Sequence, residues 1–219
     1  AASFAHRFAA DRAALHPAVL PPGDPTLLDV EFGSGDTHRG GQTVAVLRCA
    51  AGRVVYKPRS LRVDAALARL VAGLLADEPP ATRIRVPAVL TRDGYGWAAY
   101  VAHRYCLDEE ELHAFYRGLG HWTAIMRMLG GSDLHAENLI AAGPVPVVVD
   151  CETLFTPQLP LLPSGYGLAT DRAARALSSS VLGTGLLPGR GVALAWRGLD
   201  PSGAGGLRGE QPTVSVPVL

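Results

Sequence analysis

Cysteine is scarce. Cys49, Cys106 and Cys151 are the three in 219 residues, widely spaced and with no Cys-x-x-Cys pair. This excludes a disulfide framework and a thiolate zinc site, and it fits a reducing cytoplasm. Net charge is lacking as well. The 20 basic and 20 acidic residues cancel, so no net field recruits nucleic acid or an anionic membrane. No apolar run approaches the length of a membrane span. The opening "AASFAHRFAADRAALHP" has no long apolar stretch of a secretory signal. A Walker-type Gly-Lys-Ser/Thr loop is missing too. The first residue is not Met, and the closing "PTVSVPVL" reads as part of a strand, so the sequence is expected to be a piece of a longer protein.

What is present is a chain that is 48% hydrophobic, enough for a sizeable core in one domain or one domain in two lobes. Residues 4–16 read as a weak helix, broken by "LPPGDP". "LLDVEF" reads as a strand leading into the glycine-rich turn "GSGDTHRGGQ", and "TVAVLRCA" and "GRVVYKP" as a hairpin. Leu67, Leu70, Val71 and Leu74 follow the i, i+3, i+4, i+7 spacing of an amphipathic helix, with Pro79–Pro80 ending it. Two more strands flank "RDGYG".

The pattern changes near His103. "DEEELHAFYRGLGHWTAIMRMLGG" begins with acids that suit a helix N-terminus, presents Leu112, Phe115, Leu119, Trp122, Met126 and Leu129 as a buried face, and stops at Gly130–Gly131. "NLIAAG" and "PVPVVVD" read as a small hairpin. The tail from 156 is rich in Gly, Pro and Ser, with a helical stretch near 170–182. The predicted class is α+β in the order of a protein-kinase-like bilobal fold. It comprises an N-terminal helical segment (1–27), a β-rich N-lobe (28–102) and a mainly helical C-lobe (103–219) that is incomplete at its C-terminal end.

The chemistry concentrates in "SDLHAENLIAAGPVPVVVDCE", residues 132–152. Phosphoryl transfer needs held phosphates, a metal to neutralise developing charge and a group to accept the hydroxyl proton. In the kinase scheme a catalytic Asp precedes a metal-binding Asn by five residues, and a second metal Asp follows a short hairpin. Asp133, Asn138 and Asp150 have that order, and all are hard oxygen ligands of the kind Mg²⁺ takes. Lys57, at the end of the predicted hairpin, suits the lysine that reaches nucleotide phosphates. Taken singly, Asp133 reads as a loop or cap residue, His135 as a structural imidazole, Lys57 as a solvated strand-end charge and Cys151 as a small buried neighbour. The ordered set favours the functional reading. "GSGDTHRGG" is weaker; it lacks the GxGxxG order, but Asp36 and His38 give it polar groups where a kinase covers phosphates.

Together these residues resemble the dehydratase domain of class II lanthipeptide synthetases. The matching pieces are "GDTHRGG" (35–41), "VVYKPRSLRVD" (54–64), "DGYGWAAYV" (93–101), "LGGSDLHAENLIA" (129–141) and "VVVDCETLF" (147–155), with "LDPSGAGG" (199–206) a worn version of a later segment. The resemblance implies that ATP phosphorylates Ser and Thr in a ribosomally made precursor peptide, a leader followed by a Ser/Thr/Cys core. Phosphate is then eliminated to leave dehydroalanine or dehydrobutyrine. The family's zinc-dependent cyclase domain is absent from this chain, so no zinc is assigned. By resemblance, Lys57 binds the ATP phosphates, Asp133 is the base on the substrate hydroxyl, and Asn138 and Asp150 hold Mg²⁺. His135 and Glu152 match active-site positions, and Gly35, Asp36 and His38 match the nucleotide-side glycine loop. Arg59 pairs with a phosphate or an acid, or is a surface charge.

The sequence departs from the typical kinase pattern in one place. The helix after Lys57 carries no Glu before Glu78, leaving Asp64 as a weak candidate partner for the lysine. Residues for elimination cannot be aligned in 156–219. The runner-up readings are a small-molecule kinase of the aminoglycoside or choline kinase type, which also carries Asp-x-His-x-x-Asn, and a non-catalytic peptide-binding module.

Overall fold

The Val-rich segments pair in the order their spacing suggests. In the computed structural model, which describes residues 2–38, 42–155, 162–188 and 202–205, β1 (Leu27–His38), β2 (Gln42–Cys49), β3 (Gly52–Lys57), β4 (Val89–Thr91) and β5 (Gly96–Ala99) form one antiparallel sheet, ordered β1-β2-β3-β5-β4. A second, two-stranded sheet joins β6 (Leu139–Ala142) to β7 (Val145–Val148). Four α-helices accompany them among the described residues: α1 (Ala2–Ala18), α2 (Arg62–Leu74), α3 (Glu109–Leu129) and α4 (Leu168–Ser178). The class is α+β. None of the described helices is long and apolar enough to cross a membrane.

The chain divides into two units, Ala1–Asp77 with Arg85–Ala102, and Glu78–Ile84 with His103–Leu219. In the first, alternate residues of the strands face one side, as the pleat requires. Ala45, Leu47, Cys49, Val54, Tyr56 and Trp97 meet Leu15, Val19 and Leu20 from the end of α1 and the turn after it. Phe4 and Phe8 of α1 set their rings edge-on or tilted against Tyr56 and Trp97. The same helix sends Asp11, 4% exposed, into this core. Its carboxylate accepts from Arg92 Nε (2.6 Å), Tyr95 Oη (2.8 Å) and Trp97 Nε1 (2.9 Å). Burial works to raise its pKa, but the hydrogen bonds from Trp97, Arg92 and Tyr95 and the Arg92 charge together hold it below the ordinary carboxylate value.

Two sequence expectations about apolar stripes need correction. In α2 the buried positions are Asp64, Leu67 and Val71, whereas Leu70 is 38% and Leu74 55% exposed. The helix also stops at Leu74, before the prolines. In α3 the buried positions are Ala114, Gly118, Leu119, Trp122, Ile125 and Met126, and Leu112 faces outward. A face of this width needs only the residues within about one third of the helical circumference, so the flanking leucines fall outside it. The ends of α3 follow the sequence. Asp108 caps it by accepting from Glu111 N (2.8 Å), and Gly130 ends it in the left-handed conformation, φ +63°.

In the second unit α3 carries the β6–β7 hairpin. Trp122 Nε1 donates to the Pro146 carbonyl at 2.8 Å. Gly118 lies so near that a Cβ there would come within 2.8 Å of the Pro146 ring. All four residues of β7 are buried, which removes the alternation seen in the first sheet.

Replacing Asp11 with Ala removes the shared acceptor of three donors, and it is expected to cost about 3 kcal/mol, measured by denaturant unfolding. The folded-state pKa of Asp11 is depressed, so its stabilisation is complete above the unfolded value of about 4 and is lost as pH falls through the folded value. Acid titration of Asp11→Asn should therefore show a shallower loss of stability below pH ~4 than the parent. Equal slopes would remove Asp11 as the source.

Candidate functional site

The loop that follows α3 is built to hold an aspartate in an unusual backbone state. Gly131 is closely packed: a Cβ there would lie 2.7 Å from Met126 Sδ and 2.9 Å from Leu154 Cδ2, so those side-chain ends would have to shift. Two residues on, Asp133 has φ +70°. That left-handed state costs a non-glycine residue about 1 kcal/mol, least for Asp and Asn. Leu134 behind it is 1% exposed and anchors the loop in the core, while the Asp133 side chain remains 53% exposed.

His135 stands at the start of a single 3₁₀ turn, Ala136–Asn138. The Glu137 backbone N–H donates to His135 Nδ1 at 3.2 Å. The other ring nitrogen, Nε2, faces Asp133. That nitrogen lies 3.4 Å from Asp133 Oδ1. Asn138 Nδ2 reaches back to donate to the Asp133 carbonyl at 2.8 Å and lies 3.3 Å from the same His135 Nε2. Three of the residues singled out in the sequence thus meet within one turn.

The hairpin brings in the fourth. Leu139 pairs with Val148 at its open end, and Val149 N donates to the Asn138 carbonyl at 2.9 Å. Asp150 is therefore the next residue after the one bonded to Asn138. Glu152 follows, exposed, and its backbone N–H donates to Asp150 Oδ1 at 3.3 Å. Cys151 between them is 2% exposed, the small buried neighbour expected of it. The Thr153 hydroxyl donates to the Ser132 carbonyl, and Phe155 N donates to Leu129 O at 3.0 Å, which closes this segment back on the start of the Asp133 loop.

Contacts from the tail were missed by the sequence reading. Leu134 N donates to Thr184 O (2.9 Å), and Gly203 N donates to Leu134 O (3.0 Å) and Gly185 O (3.2 Å). His135 and Ser202 form an antiparallel bridge. The only signal was the paired glycines of "GTG" and "SGAGG", which allow backbones to approach closely.

Among the described residues no three His, Cys, Asp or Glu side chains converge as metal ligands. The available donors are the Asn138 amide oxygen and the Asp150 carboxylate. Both are hard oxygen groups, and they sit on adjoining ends of one hairpin. Mg²⁺ commonly takes one or two protein groups and completes its octahedron with water and phosphate oxygens. The donor set fits that ion and does not fit zinc.

In the first unit, Lys57 ends β3 opposite Gly96 and is 7% exposed. It is a buried lysine, not the solvated strand-end charge of the single-residue reading. Arg59 forms a fork on Asp64, NH1 to Oδ2 at 2.8 Å and NH2 to Oδ1 at 3.2 Å, with side chains 11% and 6% exposed. Of the readings open for Arg59, pairing with an acid is the one observed, and Asp64 is its partner. The predicted glycine turn differs in form. β1 continues through Gly35, Asp36 and His38, pairing Thr37 with Thr43 and His38 with Gln42 after an irregularity beyond Phe32. The side chains of Gly35, Asp36 and His38, and all of 39–41, lie outside the described residues.

A protein-family model described as "Domain of unknown function (DUF4135)" matches residues 1–219. The chain is 29% identical over 177 residues to the "Lacticin 481/lactococcin biosynthesis protein LcnDR2" of Lactococcus lactis subsp. lactis, covering 77% of this chain and 19% of that protein. The chain thus spans about a fifth of its relative's length. The match of the family model over residues 1–219 shows that the chain belongs to the DUF4135 family.

Proposed function

We propose that this chain carries the dehydratase chemistry of a lanthipeptide synthetase, with the two units as the halves of a protein-kinase-like fold. The substrates are Mg·ATP and the Ser and Thr hydroxyls of a cytoplasmic precursor peptide. The observation that supports this most is the arrangement around Asp133: a half-exposed carboxylate beside His135 Nε2, in a turn whose Asn138 is bonded to the residue before Asp150. The lacticin-related name of the relative agrees with a peptide product of this kind.

In this reading His135, with Nε2 3.4 Å from Asp133 Oδ1, stands beside the carboxylate while its other oxygen accepts the proton of the substrate hydroxyl. Deprotonation frees the hydroxyl oxygen to attack the γ-phosphorus of ATP, and ADP leaves. Asn138 and Asp150 would hold Mg²⁺, which supplies charge neutralisation on the phosphate oxygens when bound. Lys57 would take the nucleotide phosphates, a role suited to a lysine already removed from bulk water. Gly35, Asp36 and His38 would line the nucleotide side. In the second step the peptide loses its Cα proton, the Cβ–O bond breaks, and phosphate departs to leave the alkene. The net change to the peptide is loss of one water. His135 and Glu152 are the groups near Asp133 and Asp150 that the elimination would draw on.

Mass spectrometry of a Ser/Thr-containing precursor peptide after incubation with the protein and Mg·ATP should show loss of water. A gain of phosphate without that loss would restrict the activity to the kinase step. An unchanged peptide would favour the non-catalytic binding module, and phosphorylation confined to small alcohols would favour the small-molecule kinase.

Asp133→Asn keeps a residue that tolerates positive φ and removes the base. Transfer should fall by about 10²–10⁴-fold with an unchanged circular dichroism spectrum. Undiminished transfer would remove Asp133 as the base. Asp150→Ala should weaken magnesium binding, so that ATP turnover falls and needs more magnesium, and a magnesium titration identical to the parent's would dismiss Asp150 as a ligand.

A further inference from the structure

The backbone on both sides of Asp133 is tied down, and the ties on one side come from far along the chain. The Ser132 carbonyl accepts from the Thr153 hydroxyl. The two main-chain polar groups of Leu134 are both taken by the tail, N–H by Thr184 O and carbonyl by Gly203 N–H. Its side chain is buried to 1% exposure. The Asp133 carbonyl itself is held by Asn138 Nδ2. A residue at φ +70° persists only where its surroundings over-determine it, and here the Ser132, Asp133 and Leu134 carbonyls and the Leu134 amide each have a partner.

Two glycines make the long-range part of this arrangement sterically possible. A Cβ on Gly203 would lie 2.6 Å from the Leu134 carbonyl oxygen and 3.0 Å from Leu186 Cδ1. Gly185, at φ +77°, would bring a Cβ to 3.1 Å from Leu134 N. The two backbones close on Leu134 from its amide and carbonyl sides, and Gly203 N–H also donates to Gly185 O. Ala204 N donates to Leu186 O at 2.9 Å and Gly205 N to Ser202 O at 3.0 Å, which makes the strap a self-supported turn.

We infer that residues 184–186 and 202–204 form a backbone clamp on Leu134, with Gly185 and Gly203 as positioning residues. The clamp keeps Asp133 in its left-handed conformation and so aims the carboxylate at the substrate hydroxyl. This rests on the reading of Asp133 as the base. The clamp touches no reacting atom. It acts through the peptide units flanking Asp133, so loosening it costs rate and not ATP affinity.

The test compares the parent, Gly203→Ala, Gly185→Ala and, as a control, Gly120→Ala, where a Cβ on α3 meets nothing within 4 Å. Steady-state kinetics with Mg·ATP and a Ser/Thr peptide give one readout. Amide hydrogen exchange of Leu134 and of α3 gives another that needs no turnover. Gly203→Ala is expected to lower kcat by about a hundredfold, as a displaced reacting group does, while the KM for ATP stays within about twofold. Leu134 N–H exchange should rise by about tenfold with α3 protection intact. Gly120→Ala should match the parent. If Gly203→Ala opens α3 as well, Gly185→Ala, with its wider approach, carries the same comparison. Unchanged Leu134 exchange in the glycine variants overturns the clamp. Faster Leu134 exchange with an unchanged kcat overturns its positioning role. If the parent turns over neither ATP nor peptide, the dehydratase reading fails, and Leu134 exchange still decides whether the clamp exists.

Discussion

The second unit depends on one contact, the seating of Pro146 against α3. Gly118 removes the side chain that would hold the hairpin off, and Trp122 supplies the donor for the Pro146 carbonyl. From there the register of β6 and β7 sets Leu139 opposite Val148 and brings Asn138 beside Val149. Asp150 cannot move relative to Asn138 without breaking that ladder. A helix packed on a hairpin thereby fixes two oxygen-bearing side chains that are twelve residues apart in sequence. The same logic explains why β7 is buried on both faces: it is the rigid bar between a helix and a site, not a surface strand.

The first unit solves a different problem, that of charges inside a small core. Asp11 is satisfied by three donors at once, so burying it costs no unpaired lone pair. Arg59 and Asp64 satisfy each other in a fork near the start of α2, where a carboxylate also suits the helix N-terminus. Lys57, two residues before Arg59, is likewise out of water. A sheet that carries buried ionic groups at its strand ends is held to a narrow set of conformations, because any shift leaves a charge without its counterpart.

The sequence was most legible where structure is local. Short Val-rich runs marked β2 and β3, Asp108 and Gly130 marked the ends of α3, and the apolar run with Gly143 marked the β6–β7 turn. The spacing of Asp133, His135 and Asn138 was readable because a single turn brings them together. Three things were hidden. Helical spacing alone could not say that Leu70, Leu74 and Leu112 lie outside the buried stripes, since stripe width is set by the neighbour, not by the helix. The continuation of β1 through "GSGDTH" was hidden because glycines that read as a turn are also tolerated in an irregular strand. The bonds from Thr184, Gly185 and Gly203 to the Asp133 loop were hidden most completely. They run between main-chain atoms far apart in sequence, and such bonds leave no side-chain pattern to read.

The β6–β7 hairpin has a further property. Along β7, Pro146 has no N–H to offer a neighbouring strand, and its carbonyl is already engaged by the Trp122 indole. Along β6, the Arg104 main chain docks as a short parallel bridge, donating to Ala141 O at 2.8 Å and accepting from Gly143 N at 2.9 Å. Both flanks of this small sheet are therefore blocked at these positions against pairing with another extended chain. An extended chain finds no main-chain partner at these positions, and unfolded neighbours find no template in them for aggregation.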